Sequence, residues 1–333
     1  MSTDFLGVVE DFPLQLRAAF EIASEVDVSA STTDVSSIAV LGMGGSGISG
    51  DVLASMLSGS QLFVATIKGY DLPGWVSDKT LVFATSYSGD TEETLAVYDQ
   101  AKQRGSQIIS ITTGGTLGDQ QGGVRIPGGL QPRAALGYLA IPLLVICSRM
   151  GLAKSFDEDI EETIELMQQR STELNRDVAR NPAMLLAEAL KGTVPIIYGS
   201  EGLSALAAYR WKCQLNECAK VPAYNNSFPE LNHNEIVGWA ELAKLTAEAM
   251  SLVVLRHEGE HARIQKRIDV TVPLIEDHFK SVHALHAEGR SALARLFDLI
   301  YQGDFVATYL ALSQGVDPAP VEAIVTLKRR MSE

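Results

Sequence analysis

Residues 38–51 read IAVLGMGGSGISGD, an apolar run followed by five glycines within nine positions. Gly42, Gly44 and Gly47 satisfy the spacing G-x-G-x-x-G, which opens the helix of many dinucleotide-binding units. A strand that feeds a glycine turn into a helix aims backbone N–H groups and the positive end of the helix dipole at an anion. Glycine also lets that anion approach the main chain closely. This much is common to dinucleotide and phosphate-monoester sites, so the loop alone leaves the ligand open.

Working outward, SSIAVLG (36–42), LFVATIKG (62–69), TLVFATSYSG (80–89) and QIISITTGG (107–115) each read as a buried strand ending in a turn. Between them, segments such as SGDVLASMLSG and EETLAVYDQAKQRG carry apolar residues at helical spacing. Continuously apolar strands separated by helices indicate a parallel sheet covered on both faces. A helix is expected from about Arg133 to Met150, and the acidic stretch 155–177 reads as an amphipathic helix with a solvated face. The plan then recurs. TVPIIYGSEGLSALAAYRWKCQ (193–214) and MSLVVLRHEGEHARIQKRI (250–268) each read strand, turn, helix, and DVTVPL (269–274) is expected to be a further strand. Two helices, 303–315 and 319–330, close the chain. The likeness of IAVLGMGGSGISGDVLASML to PIIYGSEGLSALAAYRWK points to two similar α/β domains.

The 333 residues supply 46% apolar side chains, enough for two cores, and 27 basic against 41 acidic residues give a net charge of −14. That balance argues against nucleic acid or an anionic membrane as the main partner, since both need a basic footprint. A small phosphorylated ligand needs only local donors. The three cysteines, Cys147, Cys213 and Cys218, form no disulfide framework and suit a reducing compartment. No signal peptide is visible at the N-terminus, and the apolar stretch 134–147 is interrupted by Gly137, Tyr138 and Pro142. A cytoplasmic protein is expected.

A dinucleotide site also needs an acid about 20 residues on, at the end of the second strand. Here that strand ends at Lys68 and Gly69, and Asp71 falls later, in a turn. Lys68 could instead meet a 2′-phosphate, which keeps an NADP oxidoreductase as an alternative. The third strand favours another ligand. SYSGDTEET (86–94) places Ser86, Ser88, Thr91 and Thr94 around Gly89 at the opening of a helix. One such hydroxyl is ordinarily a helix cap, with Glu92 and Glu93 complementing the dipole. Four of them beside a second glycine–serine loop favour a phosphate monoester.

SYSGDTEET resembles the phosphate loop of sugar isomerase (SIS) domains, and GMGGSGISGD resembles the glycine loop before it. IPGGLQPRAALGY (126–138), YRWKCQLNECAKVPAYNNSFPELNHNEIVGW (209–239) and GDFVATYLALSQGVDPAPVEAIVTLKRR (303–330) narrow the likeness. Together they resemble the bifunctional phosphoglucose/phosphomannose isomerase family over nearly the whole chain. The resemblance implies an α/β fold of two SIS domains, each a flavodoxin-like parallel sheet flanked by helices. The expected division is 1–152, with the phosphate-binding loops, and 153–333, with a C-terminal helical tail. It implies a cytoplasmic homodimer of carbohydrate metabolism, with hexose 6-phosphate substrates and no metal or nicotinamide cofactor.

Aldose–ketose isomerisation moves a proton between C1 and C2 through a cis-enediolate and needs a base, a cation near the developing oxyanion, and help in opening the sugar ring. By resemblance, Glu217 is the base, in a helix expected from about Gly202 to Lys220. His233 opens the ring and comes from the partner subunit. Arg133 stabilises the enediolate, and Lys328 reaches the oxygens near ring opening. Gly44, Gly45 and Ser46 are expected to meet the sugar while Ser86, Ser88 and Thr91 hold its phosphate. Taken without the resemblance, Glu217 could be a surface glutamate, Arg133 an interdomain ion pair, and Lys328 a helix-terminal charge. His233 lies in a polar turn, PELNHNE, where a histidine has no packing role, and Glu230 and Glu235 could orient it. Cys218 stands where a polar residue such as asparagine is expected.

His257–His261 is a literal H-E-x-x-H, but it abuts a strand and contains Gly259, so a strand-to-helix turn is expected rather than a zinc helix. A second class of function, a non-catalytic sugar-phosphate sensor, would need only the binding loop. The joint presence of Glu217, Arg133 and His233 speaks against it.

Overall fold

A computed structural model of the protein describes residues 4–28, 34–120 and 123–331. The chain divides into two compact units, one comprising residues 11–168 with 291–294, the other residues 1–10, 169–290 and 295–333. The boundary between residues 168 and 169 falls inside the acidic stretch 155–177.

Two helices open the described chain, α1 (Phe5–Glu10) and α2 (Phe12–Ser24). The first unit then runs β1 (Ser37–Leu41), α3 (Gly44–Met56), β2 (Phe63–Ile67), β3 (Thr80–Thr85), α4 (Glu92–Gln103), β4 (Gln107–Thr112), α5 (Gly115–Gly118) and β5 (Val124–Arg125). A 3-10 turn (Pro132–Ala134) leads into α6 (Leu136–Arg149), so the helix expected from Arg133 starts with one tight turn. The five strands are parallel in the order β2-β1-β3-β4-β5. This is the flavodoxin-like 2-1-3-4-5 order, with a switch point between β1 and β3. Alternation along the strands divides the core. Ala39, Leu41, Val82 and Ala84 face Val97, Tyr98 and Ala101 of α4. Val40, on the opposite face, meets α3 so closely that a methyl on Gly50 would lie 2.7 Å from its Cβ.

After α7 (Asp157–Leu174), the second unit runs α8 (Pro182–Leu190), β6 (Val194–Ser200), α9 (Leu203–Glu217), β7 (Tyr224–Phe228), α10 (Leu231–Asn234) and, past a 3-10 turn at Ile236–Trp239, α11 (Ala243–Ala249). It continues with β8 (Met250–Arg256), α12 (Ala262–Ile275), β9 (Ser281–His286), α13 (Ala292–Ser313) and α14 (Glu322–Met331). Its strands are parallel in the order β7-β6-β8-β9, the first sheet's plan repeated over four strands. Ile196, Tyr198, Leu252 and Val254 pack against Ile268 and Ile275 of α12.

DVTVPL is not a strand. Residues 269–274 lie within α12, whose buried positions Ile268, Thr271 and Ile275 follow helical spacing. Val270 and Leu274, which produced the apparent alternation, are 46% and 65% exposed. The fourth strand of this sheet is instead SVHALH, β9. Among the described residues no helix is long and apolar enough to cross a membrane.

Candidate active site

The loops after β1 and β3 lie side by side because those strands pair directly, Leu41 opposite Ala84. They occupy the carboxyl ends of the strands at the switch point, where α/β sheets of this kind take their ligands. Ser86 is buried, and its hydroxyl lies 2.9 Å from Thr91 Oγ1 and 3.4 Å from Ser88 Oγ. The Gly89 N–H donates to Ser86 Oγ at 3.1 Å, and the Asp90 N–H to Ser88 Oγ at 3.3 Å. Thr91 occupies the cap position of α4, yet its side chain bonds none of the helix's first N–H groups. The plain-cap reading of Thr91 therefore fails: the hydroxyl is turned toward Ser86, and the first N–H groups of α4 have no side-chain cap from it. Thr94 is buried in the first full turn of α4.

Ser46 joins the cluster from the glycine loop, accepting the Tyr87 N–H at 3.3 Å. Gly44 begins α3 with φ +53° and open space where a side chain would stand. Gly45 is needed for a close approach, since a methyl there would lie 2.8 Å from the Pro132 carbonyl oxygen. That contact brings the turn bearing Arg133 against the glycine loop. Arg133 is only 4% exposed. Gln15 fixes the same turn from α2. Its amide donates to Ala134 O at 2.8 Å, and its oxygen accepts the N–H of Gly137 at 2.7 Å at the start of α6. Gly44, Gly45, Ser46, Ser86, Ser88, Thr91 and Arg133 thus converge at one end of one sheet. Lys68 is engaged by Asp51 of α3.

Asp90 turns away from the hydroxyl cluster. Both the N–H and the hydroxyl of Thr116 donate to it at 2.8 Å. The backbone donor first, then the hydroxyl, hold its carboxyl below the usual 3.8. A depressed folded value means that the contact stabilises the fold above the unfolded pKa and is lost as pH falls through the folded one. In an NMR titration, Asp90 is expected to have a midpoint below 3.8, returning toward it in Thr116→Val.

In the second unit, α9 buries Ala207, Arg210, Trp211, Gln214 and Leu215, a face with helical period. Trp211 Nε1 donates to Leu299 O of α13 at 2.7 Å, and Gln214 Nε2 to Asp304 Oδ1 at 2.8 Å. With that face fixed, Glu217, the last residue of the helix, is turned to the rim. It lines a cleft of about 410 Å³ with Asn216, Lys220 and residues 320–324, the segment that enters α14. Lys220 donates to the carbonyls of Glu217 and, at 2.6 Å, of Pro320. Cys218 points inward, fully buried, its sulfur 3.9 Å from Gln214 Oε1, so it does not share the cleft with its neighbour. Lys328 is exposed on α14, and His233 is exposed on α10. Neither lines the cleft around Glu217.

The segment bearing His233 is pinned by Glu235, which accepts the hydroxyl of buried Tyr198 and the amide of Asn226, while Trp239 Nε1 donates to Tyr198 OH at 3.2 Å. Burial first, then Glu235, raises the Tyr198 phenol well above its usual value, which keeps it a donor. Glu235 therefore fastens the segment to β6, and Glu230 accepts from Asn234 at 2.7 Å. Tyr87, Gln15 and Tyr198 carried no signal as site residues in the sequence, because each acts through a partner distant along the chain.

The switch point of the second sheet differs in chemistry. Ser200 meets Ser204 at 2.8 Å and His257 at 3.4 Å. The loop after β8 brings Glu258 and Glu260 where the first sheet brings hydroxyls, and Glu260 pairs with Arg256. The H-E-x-x-H residues lie on a turn, with His261 capping α12 by accepting the Arg263 N–H at 3.1 Å.

Residues 33–119 match the SIS domain family, and residues 179–331 match the family described as the bacterial phospho-glucose isomerase C-terminal SIS domain. The chain is 41% identical over 333 residues to a bifunctional phosphoglucose/phosphomannose isomerase from Caldicellulosiruptor bescii, covering 98% of each. The chain belongs to this family. A second member, from Thermoplasma acidophilum, is 39% identical over 92% of this chain and 93% of its own. The fold extends further: tagatose-6-phosphate ketose/aldose isomerase from Escherichia coli superposes with a TM-score of 0.70 at 14% identity, over 96% of each chain. The family's chain-long match spans both the hydroxyl cluster and the cleft of Glu217.

Proposed function

We propose that this chain interconverts glucose 6-phosphate and mannose 6-phosphate with fructose 6-phosphate. The supporting observation is the cluster of Ser86, Ser88 and Thr91 hydroxyls at an uncapped helix N-terminus, in a chain that is a family member over its whole length. In this reading, residues 1–152 hold the 6-phosphate and residues 153–333 supply the base. Ser86, Ser88, Thr91 and the α4 N–H groups grip the phosphate, with Gly44, Gly45 and Ser46 against the sugar. His233, contributed by the partner of a homodimer, and Lys328 open the ring by moving a proton from the anomeric hydroxyl to the ring oxygen. Glu217 removes the C2 proton of the aldose, and the C–H electrons form the C1=C2 bond of the enediolate. Arg133 stabilises the charge that develops on its oxygens. Return of the proton to C1 gives the ketose. Rotation about C2–C3 before return to C2 gives either epimer. We place this activity in the cytoplasm, in glycolysis and gluconeogenesis.

The test supplies fructose 6-phosphate and follows glucose 6-phosphate and mannose 6-phosphate by separate coupled assays. Both are expected to appear. Tight binding of the hexose phosphate with neither product formed would support the sensor instead. Ser86→Ala with Ser88→Ala is expected to raise KM at least about tenfold, since hydrogen bonds to a charged group are worth about 1.5–3 kcal/mol each. Unchanged KM would overturn the phosphate assignment.

A further inference from the structure

Tyr87 sits between the two serines of the phosphate loop, but its side chain leaves that loop. Its N–H donates to Ser46 Oγ at 3.3 Å, and its carbonyl accepts from Thr113 through the N–H at 3.1 Å and the hydroxyl at 2.8 Å. The phenol is nearly buried. It donates to Pro127 O at 3.2 Å and accepts the Leu130 N–H at 2.9 Å. One oxygen thereby closes both ends of the turn Pro127-Gly128-Gly129-Leu130, in which Gly129 has φ +96°. A two-glycine turn has more conformational freedom to lose than any other pair, so it holds a shape only where something fastens it. Three residues further on is Arg133, whose turn is seated against Gly45 on its other side.

We infer that Tyr87 is a positioning residue that ties the phosphate loop to the Arg133 turn, so that the chain segment gripping the phosphate also sets the place of the guanidinium. The hydroxyl spends its proton and one lone pair on main-chain groups, which leaves it no part in the substrate's own chemistry. Burial, the main cause, raises the phenol above its usual value, so it stays protonated and keeps both bonds. The catalytic half of this inference rests on the isomerase reading. The structural half does not.

The experiment uses the full chain. Tyr87→Phe removes one oxygen and leaves the ring in its pocket. Hydrogen exchange, read by mass spectrometry on peptides covering 126–136, is expected to accelerate while peptides covering 86–94 stay protected. Unchanged exchange over 126–136 would overturn the clamp whether or not the protein is an isomerase. On fructose 6-phosphate, kcat is expected to fall about tenfold or more, as misplacement of a catalytic group does, with KM and inhibition by inorganic phosphate within about twofold. In an Arg133→Met background the same change is expected to cost less than about twofold, because residues acting as one unit are not additive. Equal losses in both backgrounds would show that Tyr87 acts independently of Arg133 and would overturn the inference. Weakened phosphate inhibition with kcat intact would reassign it to the phosphate grip.

Discussion

Glu217→Gln is expected to lower kcat on fructose 6-phosphate by about 10²–10⁴-fold, the usual contribution of a positioned acid–base group. The protein is expected to stay folded, because Glu217 is not among the buried residues of α9. The helix is held by Trp211 and Gln214 on its opposite face, and Glu217 stands at the rim of a cleft. Stability is expected to move the other way from activity. Glu217 is the last residue of a 15-residue helix, where the dipole disfavours a negative charge. Removing that charge is worth about 0.3–1 kcal/mol at an exposed helix end. A variant that melts at or above the wild type while losing turnover would mark Glu217 as a group retained for chemistry. Full turnover on every hexose phosphate tested would refute the mechanism. Parallel losses of turnover and melting temperature would instead make Glu217 a structural residue.

What the sequence reveals, and what it hides, follows from where each signal lies. Central strands such as IAVL and LVFAT are buried on both faces, so their apolar runs are unambiguous. β7 and β9 are edge strands, half exposed, and YNNSF and SVHALH carry too few apolar residues to stand out. DVTVPL misleads because every second residue is apolar, while the residues that bury, Ile268, Thr271 and Ile275, recur at three and four. The candidate site divides in the same way. Ser86, Ser88, Gly89 and Thr91 are legible because one strand end and one helix start place them within six residues. Glu217 and Lys328 are legible only through resemblance, since nothing local separates them from surface charges, while the polar turn PELNHNE marks His233 without assigning its role. The ties of Tyr87 to Pro127 and Leu130, and of Tyr198 to Glu235, span about forty residues and exist only in the fold.

Gly89→Ala is expected to disable the first unit, and Gly44→Ala to be far milder, although both glycines have positive φ. Gly89 has φ +81°, and a methyl there would lie 1.9 Å from Gly114 O and 2.7 Å from its carbonyl carbon. Both obstructing atoms are backbone, so no side chain can rotate to make room. The left-handed conformation costs alanine about 1–2 kcal/mol, and forcing apart packed groups typically costs a further 1–3 kcal/mol. A sum of about 2–5 kcal/mol is a large share of an ordinary domain's stability. For a unit of this size it corresponds to a fall in Tm of about 5–15 °C. Relief by moving the loop would also break the Gly89 N–H bond to Ser86 Oγ and the Leu117 N–H bond to Gly89 O. The fold and the hydroxyl cluster are therefore expected to fail together. At Gly44 nothing lies within 4 Å of the added methyl, so only the backbone cost remains. Calorimetry of the two variants, with inorganic phosphate titrated into each, separates the contributions. A Gly89→Ala protein that melts with the wild type and binds phosphate equally would mean that the turn from β3 into α4 does not need the close contact with Gly114.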